Sequence, residues 1–196
     1  MTRKYLILFF ISIIMADTHI VPDEYASIQD AIDASDANDT ILVSPGVYNE
    51  NISFDGRPIV ISSRYLIDND SLLVGLTIID GQQDQSVVTF SNFETSNSIL
   101  MGLTLQNGIG NNEDPDNNGS FYTYGGGIYC ENSSPLIKDC IIQNNTANEG
   151  GGGGIFCYNS SPRFEGCVIN NNETDDVGGG LYSRSGSSPE FYDCTF

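Results

Sequence analysis

The feature that most constrains this chain is a repeat in its last third. GGGIYCENSSPLIKDCIIQNN from Gly125, GGGIFCYNSSPRFEGCVINNN from Gly152 and GGGLYSRSGSSPEFYDCTF from Gly178 align in steps of 27 and then 26 residues. One extra residue within Arg184 to Gly186 restores the later step to 27. A repeat of this size is one supersecondary unit, and it must bury its apolar face against its neighbours. Ile128, Ile155 and Leu181 share one column, Ile137, Phe164 and Phe191 a second, and Ile142, Ile169 and Phe196 a third. Their flanking residues alternate, and period-two alternation places such residues on one face of a strand, here the inside. Gly, Asn, Ser and Pro punctuate these short runs: Gly takes positive φ, Asn tolerates it, and Pro withholds a ladder donor. A helical repeat would need runs of about 10 or more helix formers, which are absent. The expected fold is therefore all-β, a single-stranded parallel β-helix with successive rungs about 4.8 Å apart. Asn145 and Asn172 fall in one column at a turn, where side-chain amides bond up and down a stack.

Weaker coils precede these. TILV from Thr40, IVI from Ile59, LTII from Leu76, VVTF from Val87 and LTL from Leu103 read as strands, with turns at Asp80-Gly81 and Asn107-Gly108. Ser27 to Ser35 is the one helix candidate. Ser27 and Asp30 resemble a capping box, and Ile28, Ala31 and Ile32 form the apolar stripe with which it would cover the open end of the core. Residues 1–16 read as an export signal, with Arg3 and Lys4 ahead of the apolar run Tyr5 to Met15 and Ala16 at the cleavage point. That run falls short of the roughly 20 apolar residues a membrane span requires. Residues 17–196 then form the β-helix domain, with no integral membrane segment, in an extracellular or cell-surface location. Phe196 ends the sequence at an inward position in mid-repeat, so further coils are expected beyond it.

The formal net charge of −19 excludes nucleic acid as a partner, because such binding needs a basic footprint. It also opposes unaided binding to an anionic polymer such as pectate, unless divalent cations reverse the local sign.

The opening of the domain carries a resemblance. Val21-Pro22, Tyr25, Ser27-Ile28-Gln29, Ala31-Ile32 and Pro45-Gly46-Val47-Tyr48-Asn49-Glu50 resemble the start of pectin-lyase-like β-helix proteins, pectinesterases included. The later repeats are similar to the short β-helix repeats of bacterial surface proteins and to the GGA[IL] and FxxN repeats of chlamydial polymorphic membrane proteins, with Ile in place of Phe at Ile142 and Ile169. The resemblance implies a right-handed coil and leaves function open, since this fold hosts lyases, esterases, adhesins and passengers. Gly46, Tyr48 and Glu50 fit the GxYxE signature of pectinesterases, whereas QxAVA, QDTL, DFIFG and LGRPW do not occur in residues 51–196. An esterase of that kind is not expected.

Several residues are candidates for chemistry. Tyr129, Phe156 and Tyr182 alternate with inward residues and should form an exposed aromatic ladder on the outside of the coil, with Glu131, Tyr158 and Arg184 as a parallel polar column. Stacked aromatics beside polar groups can hold sugar rings, so a polysaccharide or cell-surface glycan is the expected partner. A lyase of this fold would need a basic residue near calcium-bound carboxylates, and Arg184 beside Glu131 is the nearest such arrangement; the Arg163 column holds Leu136 and Glu190 instead. Asp114, Asp116 and Asn118 match the first half of a calcium loop ending in Gly119, without the closing Glu, and calcium is the only cofactor the sequence raises. His19 stands alone and is expected to be solvated. The glycine runs lack the Lys and Ser/Thr of a phosphate loop and mark tight turns. Cys130 and Cys157 share one column and Cys140, Cys167 and Cys194 another, all expected as buried thiols that pack as small hydrophobes. Asn-x-Ser/Thr triplets at Asn51, Asn132 and Asn159 matter only in a host that glycosylates. The expected function is a secreted or surface β-helix scaffold, an adhesin, passenger or glycan-contacting protein without a complete catalytic site. The alternative is a polysaccharide lyase or glycoside hydrolase whose site is partly missing.

Overall fold

Three parallel sheets run the length of the molecule, and the chain visits each in turn as it coils. The computed structural model describes residues 16–113, 119 and 121–196. The largest sheet stacks seven strands: Thr18–Val21, Thr40–Val43, Val60–Ser63, Ile99–Met101, Leu136–Lys138, Arg163–Glu165 and Glu190–Tyr192. A five-stranded sheet stacks Gly46–Asn49, Thr77–Asp80, Thr104–Gln106, Ile141–Gln143 and Val168–Asn170. The third, here termed the site sheet, stacks Ile52–Ser53, Val88–Phe90, Ile128–Glu131, Ile155–Tyr158 and Leu181–Arg184. The architecture is a right-handed parallel β-helix, as expected from the sequence.

The columns read from the repeat are the observed register. Ile128 pairs with Ile155 and Ile155 with Leu181; Ile137 pairs with Phe164 and Phe164 with Phe191; Ile142 pairs with Ile169. The inward residues form one continuous core from Val21 to Ile169. The Asn ladder is present. The Asn145 side chain donates to the carbonyl of Leu105 at 3.1 Å and to Asn172 Oδ1 at 3.0 Å, and its own oxygen accepts from Gly108 N at 2.9 Å.

Corners turn on single residues in the left-handed region. Gly125, Gly152 and Gly178 repeat there with φ of 67°, 68° and 69°. The glycines that follow are small for a different reason: a Cβ on Gly126 would strike the carbonyl oxygens of Thr146 and Gly153. The extra residue of the last coil is absorbed at Ser185 and Gly186, both with positive φ, between the paired positions Tyr158–Arg184 and Arg163–Glu190.

Helix α1, Ile28–Ala34, closes the first coil with Ile28, Ala31 and Ile32 fully buried. Its first turn is held twice. Ser27 Oγ accepts from Asp30 N at 3.0 Å, and the Glu50 carboxylate accepts from Ile28 N and Gln29 N, both at 3.0 Å. Tyr48 donates from its hydroxyl to the Ser44 carbonyl at 2.8 Å. Tyr48 and Glu50 of the GxYxE signature thus serve structure. Two short helices, α2 at Tyr65–Asp68 and α3 at Leu72–Leu76, interrupt the coil between strands Val60–Ser63 and Thr77–Asp80, and the latter begins where a strand from Leu76 was expected.

His19 corrects an expectation. It is not solvated: Nε2 lies 3.0 Å from Asp39 Oδ2, the ring packs edge-on against Tyr25, and its side chain is 15% exposed. Burial pushes the Asp39 carboxyl up, but bonds from Asp17 N, His19 and Asp36 N outweigh it, and the net shift is downward. The pair ties the first strand to the turn before the second.

Candidate functional site

Outward positions on the site sheet run Ser53, Thr89, Tyr129, Phe156, Tyr182 in one column and Glu131, Tyr158, Arg184 in the next. Alternation fixes both columns, since the inward partners are Ile52, Val88, Ile128, Ile155 and Leu181. The structure brings together all six residues of the expected surface. Their exposure, however, differs from expectation. Tyr129 and Phe156 are each only 3% exposed, while Tyr182, Tyr158, Glu131 and Arg184 are half-buried.

The cover is an antiparallel hairpin, Asn111–Glu113 paired with Tyr122–Tyr124, inserted before the first full repeat. Val88 and Ile128 sit on adjacent rungs although 40 positions apart, and most of the excess over the usual step is this insertion. The hairpin is pinned to the sheet by Asn111, which donates to Thr89 Oγ1 at 3.0 Å and accepts from Ser86 N at 3.2 Å. It lays Tyr124 over Phe156 with ring centroids 4.6 Å apart, and Phe156 stacks between Tyr129 at 5.5 Å and Tyr182 at 5.7 Å. These rings form a second apolar cluster outside the coil. Aromatic pairs at such spacing contribute about 0.5–1.5 kcal/mol each beyond area burial.

At the edge of this cluster two carboxylates converge on one phenol. Tyr129 Oη lies 2.9 Å from Glu113 Oε1 and 3.3 Å from Glu131 Oε2. Burial first, and then the two negative charges, push the Tyr129 phenol far above its usual range, so it is a fixed proton donor. Above it, the Arg184 guanidinium lies 5.7 Å from the centre of the Tyr158 ring, within cation–π range. Among the described residues Arg184 makes no salt bridge. The rings, Glu113, Glu131 and Arg184 enclose a cleft of about 200 Å³.

Glu113 also borders a second, larger concavity of about 540 Å³ on the rungs below, lined by polar groups that include Asn51, Ser53, Asp55, Gln85 and Thr89. The two clefts adjoin along the coil axis. Glu113, Tyr124 and this lower cleft were not picked out from the sequence. The signal available was the long step between Val88 and Ile128 and the alternation of Tyr122 and Tyr124, which marks a strand outside the repeat.

Asp114, Asp116 and Asn118 lie outside the described residues. Among the described residues no group of three or more His, Cys, Asp and Glu side chains is placed to hold a metal. Arg163 stacks over Tyr192 at 4.3 Å and pairs with Glu165 at 2.7 Å, away from the clefts. All five cysteines are free thiols, and burial pushes the Cys140 thiol up to about 12, leaving it inert.

A family model described as the right handed beta helix region matches residues 47–196. The chain belongs to that family. Among solved structures this β-helix is similar to a pectin methylesterase in complex with a hexasaccharide, with a TM-score of 0.53 and 14% identity over 90% of this chain and 66% of the other. The pectin methylesterase of Erwinia chrysanthemi matches with a TM-score of 0.45 and 16% identity, over 83% of this chain and 56% of the other. That of Aspergillus niger gives 0.44 and 14%, over 90% and 66%. The chain therefore spans less than two thirds of these proteins. No curated protein matches it. At such identities the shared feature is the fold.

Proposed function

We propose that this chain is a secreted or cell-surface β-helix scaffold that contacts a glycan through its site sheet, as an adhesin, passenger or carbohydrate-binding module. The observation that carries the reading is the pair of adjoining clefts, one walled by Tyr124, Phe156 and Tyr158 and the other by amides, hydroxyls and two carboxylates. Aromatic faces receive the C–H side of a sugar ring, and fixed polar groups select among its hydroxyls. The hexasaccharide named with one structural neighbour is consistent with a saccharide on a coil of this kind. Export rests on the reading of residues 1–16, which lie almost wholly outside the described part; no helix among the described residues is long and apolar enough to cross a membrane.

Glycan-array binding of the wild type compared with Tyr158→Ala and Tyr182→Ala tests the proposal. These half-buried rings can be removed without opening the inner core, and a loss of about tenfold or more in apparent affinity is expected, in line with the larger hot-spot truncations. Unchanged binding by both variants overturns the site. The Asp114–Gly119 loop follows the hairpin's first strand in sequence, and calcium there is tested by calorimetry; absence of heat at millimolar ion retires it.

A second reading, glycoside hydrolysis, rests on Glu113 and Glu131. Both reach one hydroxyl, so the two carboxylate oxygens concerned lie no more than about 6 Å apart, a bound that admits the separation of retaining hydrolases. Release of reducing ends from neutral polysaccharides, abolished in Glu131→Gln, would establish it; no release from any of them removes it.

A further inference from the structure

We infer, building on the glycan reading, that the hairpin cleft takes a positively charged amino sugar. Tyr129 has a single hydroxyl proton to offer, and Glu113 Oε1 and Glu131 Oε2 both stand at its oxygen, at 2.9 and 3.3 Å. A phenol donates once, so the nearer carboxylate takes that proton and Glu131 is left facing a lone pair. Among the described residues neither carboxylate has another hydrogen-bond donor. Counted over the described residues, two half-buried carboxylates with one shared donor are short of both protons and positive charge, and a ligand that seals them from water must supply both.

The nearest resident cation does not meet that need. Arg184 lies over Tyr158 and makes no salt bridge among the described residues, and one rung, that of Tyr158, separates it from Glu131 in the column. A uronate would bring a third negative charge to the carboxylates of a chain already at −19. A neutral sugar could donate hydroxyl protons but would leave both charges uncompensated once water is displaced. A primary ammonium supplies three donors and one positive charge in a compact group.

The walls, which are independent of the acids, fit the rest of such a residue. Tyr124, Phe156 and Tyr158 line the same cleft, and aromatic rings attract cations as well as the C–H side of a pyranose. A volume of about 200 Å³ lies below the range of a drug-sized pocket, which limits the cleft to a single small unit. Neighbouring sugars of the same polymer would continue past Glu113 into the larger cleft, where Asn51, Ser53, Gln85 and Thr89 offer neutral donors and acceptors. The expected ligand is thus a glucosamine polymer lying along the coil axis, with one free amine beside Glu113 and Glu131.

The test is calorimetric titration of the protein with tetramers of glucosamine, N-acetylglucosamine and galacturonate, and with 1,5-diaminopentane. The glucosamine tetramer should bind at least about tenfold tighter than each of the other three, the magnitude of one charged hydrogen bond. Glu113→Gln and Glu131→Gln, which keep shape and remove charge, should each weaken it by about tenfold. Arg184→Gln, which removes the opposing charge, should tighten it by about threefold. This opposite-signed variant keeps the inference testable if either Gln variant fails to fold. Equal binding of the acetylated tetramer, equal binding of the diamine, or no response to the variants overturns it. If the acetylated or uronate tetramer binds and the glucosamine tetramer does not, the amino-sugar inference falls while the glycan reading stands. If no oligosaccharide binds, both fall.

Discussion

Asn145 is fully buried, yet its side-chain amide is satisfied on both sides, by Leu105 and Asn172 as acceptors and by the Gly108 amide as donor. Replacing it with Ala strands two backbone groups on the preceding coil, the Leu105 carbonyl and the Gly108 amide, and takes a donor from the Asn172 side chain on the next. Asn145→Ala should cost about 2–4 kcal/mol, since each orphaned buried group costs roughly 1–3 kcal/mol. The measurement is the shift of the urea midpoint at constant slope; a shift near zero would mean the ladder is decorative. This column was legible from spacing alone because identical residues one coil apart can only be neighbours in a stack. Tyr129 shows where such legibility stops. Alternation correctly placed it outside the coil, but alternation specifies a side of the strand and says nothing of what lies over that side. Its hydrogen-bond partner Glu113, and Tyr124 over the neighbouring Phe156, come from an insertion with no counterpart in the other coils. His19 was misjudged for a related reason: its partner Asp39 is 20 positions away, and only the first coil brings them together.

Helix α1 was legible because its cap, stripe and length agreed, and agreement across levels is what makes a local segment predictable. The missing part was its tie to the next coil. Glu50 accepts two first-turn amides and thereby fixes the lid to the rung beneath it. Glu50→Ala should destabilise the protein by about 1–2 kcal/mol, the upper part of the range for lost helix caps, while Glu50→Gln should recover part of that loss. Chemical denaturation of the two variants side by side distinguishes a cap from a side chain of no consequence. Helices α2 and α3 were not foreseen. Neither has a side-chain cap, each is at most five residues long, and LTII continues from the second as a real strand. Short apolar runs of this length do not reveal their period. The hairpin escaped for the same reason, with three residues in each strand.

At the scale of the whole molecule each coil packs chiefly against the coils above and below it, so stability accumulates along one dimension. The first coil is closed by α1, whereas Phe191, Leu181 and Cys194 at the other end are only partly buried. Amide hydrogen exchange of this chain should therefore be fastest in Leu181–Arg184 and Glu190–Tyr192 and slowest in central strands such as Ile128–Glu131 and Leu136–Lys138. Uniform protection throughout would indicate a single cooperative unit instead. The architecture was readable from three repeats, but the number of coils was not. Paired strands upstream lie 20 positions apart at Thr40 and Val60 and 40 apart at Val88 and Ile128, because loops of different size leave the stack without disturbing it.

The inserted hairpin acquires a particular meaning on a body of this kind. Successive storeys of the column share one cross-section, so a visitor travelling along the outside would meet the same scenery at every level. The outcrop between Asn111 and Tyr124 is a landmark on the aromatic side, giving one height an identity that its neighbours lack. Under the glycan proposal, a long flexible guest would thereby be held in phase with the storeys instead of sliding past them.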